Sequence, residues 1–545
     1  MVNFKRLLVL VLALQAGLAT AQNRYAVYFK FKPQQTFSLN RPTEFLTAES
    51  IERRARQNIP LDSLDLPVSG KYIAGIAPLV DNVLYSSNWL NASVVLAKPG
   101  NIADLTALPY VEKVVMVAPG LNDSRIEFGN RASVGQGYPV DLLSKTATAY
   151  DFQNELLGIP QMHEENLKGK GIRIAVFDAG FPGVNTIPAF AHLFTNGQIK
   201  GTRDFVHLSN SNVYSYHQHG TNVLSLIAAN RPEQLVAGAP EADYILCITE
   251  DVPTEYWIEE YNWVRAAEYA DSLGVDIINS SLGYWDFDDP SMNYTVADLD
   301  GETAAVTKGA TIAANKGILI VNSVGNYGTR GQSSLTVPAD ARGILSVGSV
   351  GSNLTRSSFS SQGATADGRF KPEVAAFGAS VQLIRSNGTL GPANGTSFAA
   401  PQIAALAAGL WQGRPEWTKD ELIEFILKSS TQYENPDNLL GYGIPDFFNA
   451  FHGEILAISL PGKESDWKIY PNPIEGTDLF VQFGNHLKGE FSLIDLKGNT
   501  IQKIEVSRNS VREPFNVFLE TIPRGMYLVQ MQSGREINRS KLLKR

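Results

Sequence analysis

GIRIAVFD, Gly171 to Asp178, is apolar at successive positions and ends on an acid. A strand with one wet face alternates apolar with polar residues, whereas an unbroken apolar run is covered on both faces. The same texture returns in DYILCIT (243–249), VDIINSSLG (275–283) and ILIVNSVGN (318–326). Helical stretches separate these runs: HGTNVLSLIAAN (219–230), WIEEYNWVRAAEYADSLG (257–274) and ETAAVTKGATIAANKG (302–317). Strands of this kind alternating with helices predict an α/β fold, a parallel sheet covered by helices. In such sheets a site forms where the strands deliver their carboxyl ends, so the residues just after each strand carry most of the information.

Asp178 ends the first strand, where backbone amides can hold a carboxylate, although an acid at a turn is more often a cap. His219 opens a predicted helix, and Gly220 lets a neighbour approach it closely. His217 and His219 also form an H-x-H pair, but no third ligand cluster stands beside it to complete a metal site. In NGTSFAAPQIAALAAGLW (394–411) Ser397 opens a helix small and apolar enough to be buried almost all round, and Pro401 is read as lying in its first turn. Ser and Thr cap helices routinely, but a hydroxyl here also sits where the helix dipole favours negative charge. Asn326 follows the strand ILIVNSVG, placed to donate to a developing oxyanion or simply to make a turn. Ser280, Ser281, Leu282 and Gly283 end another strand, whose edge can pair with an extended peptide.

The flanks differ in texture. The chain has 545 residues, enough for several domains, and a formal net charge of −9 that argues against a nucleic-acid binder. Its start, MVNFKRLLVLVLALQAGLATAQ, has the basic, apolar and small-residue pattern of a secretory leader cut after Ala21. No later stretch is long and apolar enough to span a bilayer. From about 22 to 140, YAVYFKF, AESIERRARQNI, NWLNASVVLAK and IADLTALPYVEKVVMVA mix short strands and helices, followed by an aperiodic linker. From about 455 the chain reads as short alternating strands with glycine turns, entered at YPNP (470–473). The one cysteine, Cys247, lies in an apolar run and reads as buried filler.

Together the motifs resemble those of the subtilisin-like serine peptidases, over about Gln153 to Phe451. HGTNV is similar to that family's HGT motif at His219, and NGTSFAAP to its GTSMA-P motif at Ser397, with Phe398 in place of Met. VFDAG carries Asp178 with Ala179 where the family has a hydroxyl residue, a departure that loosens support for the carboxylate. Asp, His and then Ser is also the chain order of the subtilisin triad. The resemblance implies Asp178, His219 and Ser397 as catalytic residues and Asn326 as oxyanion donor. It implies Ser280, Ser281, Leu282 and Gly283 as a substrate-binding strand, with Ser323, Val324 and Gly325 as the opposite wall of the first pocket. No cofactor is required for such chemistry. Structural calcium often accompanies the fold, but no carboxylate loop assigns it, and DFDDP (286–290) reads as a solvated acid run.

The resemblance extends to the flanks. It implies a leader at 1–21, an inhibitory propeptide at 22–120 and a linker with a processing site at 121–150, cut between Pro119 and Asp151. A catalytic domain at 151–453 and a C-terminal β-sandwich at 454–545 follow. YPNP, the GNT turn, PRGMYLVQM and the basic end SKLLKR are similar to the sorting domain of type IX secretion in Bacteroidota. The implied partners are protein or peptide substrates, the chain's own propeptide and the type IX machinery, with no nucleic acid and no membrane span. The implied destination is the medium or the cell surface, reached through the periplasm. Other readings are a catalytically silent binding or adhesion protein on the same fold, an independent binding domain for 22–140 and a carbohydrate- or surface-binding module for the C-terminus. A lipase or esterase would need a G-x-S-x-G elbow and the order Ser, acid, His; here Ser397 comes last.

Overall fold

In the computed structural model, residues 22–120, 151–456 and 467–545 are described, apart from 485, 496–497, 511–512, 520–521 and 535. The expected leader (1–21) and processing linker (121–150) lie outside the described residues. The chain divides into two compact units, Met1–Phe451 and His452–Arg545.

The first unit opens with a four-stranded antiparallel sheet in the order β2-β3-β1-β4, formed by β1 (Asn23–Phe29), β2 (Asn82–Ser87), β3 (Ala92–Ala97) and β4 (Val111–Ala118). Three helices, α1 (Ala48–Arg56), α2 (Gly70–Ile76) and α3 (Ile102–Ala107), complete this α+β layer.

The larger part is a seven-stranded sheet in which every pairing is parallel. Its strands are β5 (Arg173–Asp178), β6 (Ile199–Asp204), β7 (Asp243–Ile248), β8 (Ile277–Ser280), β9 (Leu319–Ser323), β10 (Leu345–Val350) and β11 (Val374–Phe377), in the order β11-β10-β9-β8-β5-β7-β6. The apolar runs of β5, β7, β8 and β9 are buried on both faces, as their lack of alternation requires. Helices α4 (His219–Ala228) and α7 (Thr396–Gly413) pack against one face, and α5 (Ile258–Ser272) and α6 (Ala305–Asn315) against the other. Residues 396–411 of α7 are all buried, so this helix forms the spine of the core. The sheet order reverses beside β5, where β7 lies on one side and β8 on the other. That is the switch point at which open α/β sheets hold their ligands.

The N-terminal layer docks on α5 and α6. Its Ala26, Trp89, Leu90, Ala92, Val94 and Val117 share one apolar core with Tyr261, Trp263 and Val264 of α5. Polar contacts fix the register: Tyr85 Oη donates to Asn262 Oδ1 at 2.8 Å, and Ser87 Oγ and the Trp89 amide both donate to Glu268 Oε1. An arm between β1 and α2 adds a buried ionic contact, in which Arg53 and Arg54 of α1 donate to the two oxygens of Asp271. Lys316, at the end of α6, pairs with Asp65 of the arm at 2.8 Å.

The second unit is two antiparallel sheets. One has the order β12-β13-β16, from β12 (Trp467–Tyr470), β13 (Asp478–Phe483) and β16 (Phe515–Phe518). The other has the order β15-β14-β17-β18, from β14 (Lys488–Ile494), β15 (Thr500–Ser507), β17 (Gly525–Ser533) and β18 (Glu536–Lys544). Their inner faces share one core, including Phe483, Phe491, Phe515, Val529 and Met531, which makes a β-sandwich.

Candidate active site

Asp178 is the last residue of β5 and is fully buried. Its Oδ1 accepts from the Ala179 amide at 2.8 Å, so the backbone gives support that the Ala179 side chain does not. His219 opens α4, with its Nδ1 2.9 and 3.0 Å from the two Asp178 oxygens. A carboxylate only accepts, so Nδ1 carries the proton and Nε2 is left as the basic nitrogen. Burial disfavours a charged ring, but the charge and hydrogen bond of Asp178, with a further pull from Glu250, outweigh it. The imidazole therefore titrates above its ordinary range. Gly220 makes this approach possible, because a Cβ there would meet the Gly180 carbonyl oxygen at 2.3 Å.

Ser397 is the second residue of α7 and 8 % exposed. Pro401 lies one turn further into the helix than the sequence reading put it. Having no N–H, it cannot bond the carbonyl of Ser397 four residues earlier. Ser281 Oγ donates to that carbonyl instead, at 2.8 Å. The proline thus hands the nucleophile's own carbonyl to the strand end beside it.

Asn326 is oriented by its neighbours. The Thr396 amide faces its side chain at 3.0 Å and Thr396 Oγ1 adds a second bond at 3.0 Å. A backbone amide only donates, so the atom it meets is the oxygen of Asn326, and Nδ2 is left to donate elsewhere. The Ser397 amide belongs to a first helical turn, whose N–H groups have no acceptor within the helix.

Asp178, His219, Ser397 and Asn326 line one cavity of about 180 Å³ with Ser281, Leu282, Gly283, Ser323 and Gly325. The other two sequence-derived residues turn inward. Ser280 accepts from Trp263 Nε1 at 3.0 Å, and Val324 is fully buried in the core. Thr336 fills the floor between Gly283 and Gly325, since a Cβ on either glycine would come within 2.8 Å of its Oγ1. His217 accepts from the His219 amide through Nδ1 at 3.3 Å. Among the described residues no group of three or more His, Cys, Asp or Glu side chains is arranged to hold a metal ion. Cys247 is fully buried on β7, and burial pushes its thiol pKa up.

Sequence reasoning missed Glu250, Glu255, Glu259 and Tyr327, which line the same cavity. Their signal was present: TEDVPTEYWIEE (249–260) follows the carboxyl end of β7 and holds five acids and no base.

An acid, an imidazole and a serine converging in one cleft is the arrangement of the triad hydrolases. Residues 169–443 match the subtilase family (Peptidase S8) and residues 24–131 a Bacteroidota Peptidase S8 propeptide domain. Residues 468–545 match a secretion system C-terminal sorting domain. Subtilisin E of Bacillus subtilis (strain 168) is 30 % identical over 280 residues, covering 51 % of this chain and 65 % of that protein. The subtilisin of Bacillus pumilus is 30 % identical over 289 residues, covering 52 % and 92 %. Subtilisin Savinase of Lederbergia lenta is 27 % identical over 286 residues, covering 52 % and 92 %. The chain belongs to the subtilase family.

Proposed function

We propose that the chain is the precursor of an exported serine endopeptidase that hydrolyses peptide bonds through an acyl-enzyme. In this mechanism Ser397 Oγ attacks the scissile carbonyl while His219 Nε2 takes its proton. Asp178 holds the imidazole in the right tautomer and stabilises the cation that forms. The Ser397 amide and Asn326 Nδ2 receive the oxyanion. His219 then gives its proton to the leaving amine, and a water molecule releases the acyl group by the same steps. The observation that carries the reading is the fixed pair of orientations, with His219 Nδ1 on Asp178 and Asn326 Oδ1 on Thr396. Both leave their reactive nitrogens for the cleft that holds Ser397.

The matched propeptide domain supports synthesis as an inhibited zymogen, and its packing on α5 supports a chaperone role for the slow parallel sheet. The matched sorting domain supports export by the type IX machinery to the cell surface or medium. Among the described residues no helix is long and apolar enough to cross a membrane.

Asn326→Ala tests the mechanism. Turnover on a peptide substrate is expected to fall by about 10²–10³ with little change in KM, the loss found on removing the like donor from subtilisin. Unchanged turnover would contradict the assigned donor.

A further inference from the structure

Three glutamates share the cleft with the nucleophile: Glu250 just after β7, Glu255 on the following loop and Glu259 in the first turn of α5. Glu250 Oε1 accepts from Tyr284 Oη at 2.8 Å and from Thr249 Oγ1 at 2.7 Å. Glu259, 2 % exposed, accepts from the Asp251 and Tyr256 amides at 2.8 and 3.3 Å. Among the described residues, none of the three forms an ion pair with a Lys, Arg or His. Arg330, on a nearby loop, is committed to Asp286 and lies over the ring of Tyr327.

Crowded, half-desolvated carboxylates without a counter-charge are unfavourable. Burial first, and then mutual repulsion, pushes Glu255 and Glu259 well above the usual carboxylate range. Glu250 is pushed up to about 7, by burial first and by the Asp178 charge among lesser causes. A second observation places a ligand here. Ser397 and His219, 8 % and 7 % exposed, line this same cavity, and among the described residues neither Ser397 Oγ nor His219 Nε2 has a hydrogen-bond partner. The glutamates flank the edge Ser281–Gly283, and Tyr284, the next residue, reaches Glu250.

The geometry points to a subsite for a cationic side chain: Glu250, Glu255 and Glu259 receive a lysine or arginine of the peptide substrate, on the acyl side of the bond that is cut. This inference rests on the proposed peptidase activity and adds the substrate class. The incoming ammonium or guanidinium supplies the counter-charge that the protein withholds. A bidentate guanidinium matches two carboxylates at once, so arginine is preferred over lysine. Thr336 on the floor of the pocket between Gly283 and Gly325 leaves that neighbouring pocket shallow, which shifts selectivity toward the acidic wall.

The test uses the full-length secreted chain after its own processing. Paired fluorogenic peptides carry arginine or its uncharged isostere citrulline at each of the first four acyl-side positions in turn. At one position kcat/KM for arginine is expected to exceed that for citrulline by about 30-fold or more, the size of effect seen when one partner of a buried charge pair is lost. The double variant Glu255→Gln/Glu259→Gln is expected to bring that ratio close to one. Cleavage without an arginine preference at any position overturns the subsite and leaves the peptidase reading standing. A preference that survives the double variant overturns its assignment to these glutamates. Failure to cleave any peptide, with no labelling of Ser397 by a fluorophosphonate, overturns both.

Discussion

The two ends of helix α5 carry buried acids under opposite terms. At the N-terminal end Glu259 sits in the cleft with Glu250 and Glu255, and among the described residues none of them is paired with a cation. At the C-terminal end Asp271 is gripped by Arg53 and Arg54 of the N-terminal arm. The helix dipole makes the contrast sharper, because it favours a negative charge at the N-terminus and opposes one at the C-terminus. Asp271 is therefore badly placed for its own helix and well placed for its arginines. The neighbouring pair tells the same story: burial opposes the Asp65 charge, yet Lys316 and Arg54 outweigh it and hold the carboxyl below its usual range. An acid whose partner is part of the chain is settled on folding. An acid left unpaired in a cleft keeps its electrostatic attraction for something that arrives later.

The larger of two expected effects breaks the paired end. Asp271→Asn leaves buried Arg53 without its carboxylate and Arg54 with Asp65 alone, and the precursor is expected to lose about 3–5 kcal/mol of stability. The same substitution in the processed enzyme, with the propeptide domain gone, is expected to cost nothing, because it removes an acid from a helix C-terminus. Denaturant melts of the two forms check this. An equal loss in both would mean that Asp271 serves the catalytic fold and not the docking of the arm.

The smaller effect sharpens the unpaired end. A general base must be neutral to work, so activity rises with pH through the His219 pKa, which lies above the ordinary 6.5. Part of that elevation comes from Glu250. Glu250→Gln is therefore expected to move the acidic limb of kcat/KM on an uncharged peptide toward lower pH, by less than about one unit. A limb that stays in place or moves upward would separate Glu250 electrically from the imidazole.

The central sheet was legible because its strands announce themselves. GIRIAVFD, DYILCIT, VDIINSSLG and ILIVNSVGN have no alternation, and a parallel sheet covered on both faces is what such runs require. The edge strand IKGTRD (199–204) was not read as a strand, because an edge needs little apolar surface and this one carries Gly and three charges. The short strands LSVGSV and VAAF also escaped, being built of small residues with no periodic signal. Asp178 and Asn326 stand out at strand ends and His219 and Ser397 at helix starts, each alone open to a plain capping or turn reading; the resemblance groups them, and the structure brings all four to one cavity. The carboxylate that Arg53 and Arg54 share was not legible, since Asp271 lies more than 200 positions away and a basic helix face reads as solvated. Pro401 was seen, but its consequence for the Ser397 carbonyl needs the position of Ser281 in space. The glutamates of the cleft were passed over because an acidic loop is ordinarily exposed, and here the fold turns it inward.

The most direct test of the account asks whether Ser397 is an activated nucleophile. A fluorophosphonate bonds to such a serine, so the processed secreted protein and its Ser397→Ala variant are treated side by side and their intact masses recorded. The account predicts one adduct on the catalytic fragment of the wild type and none on the variant. An unlabelled wild-type protein, with removal of the propeptide domain confirmed by the same masses, would contradict it and leave a binding protein on a subtilase fold.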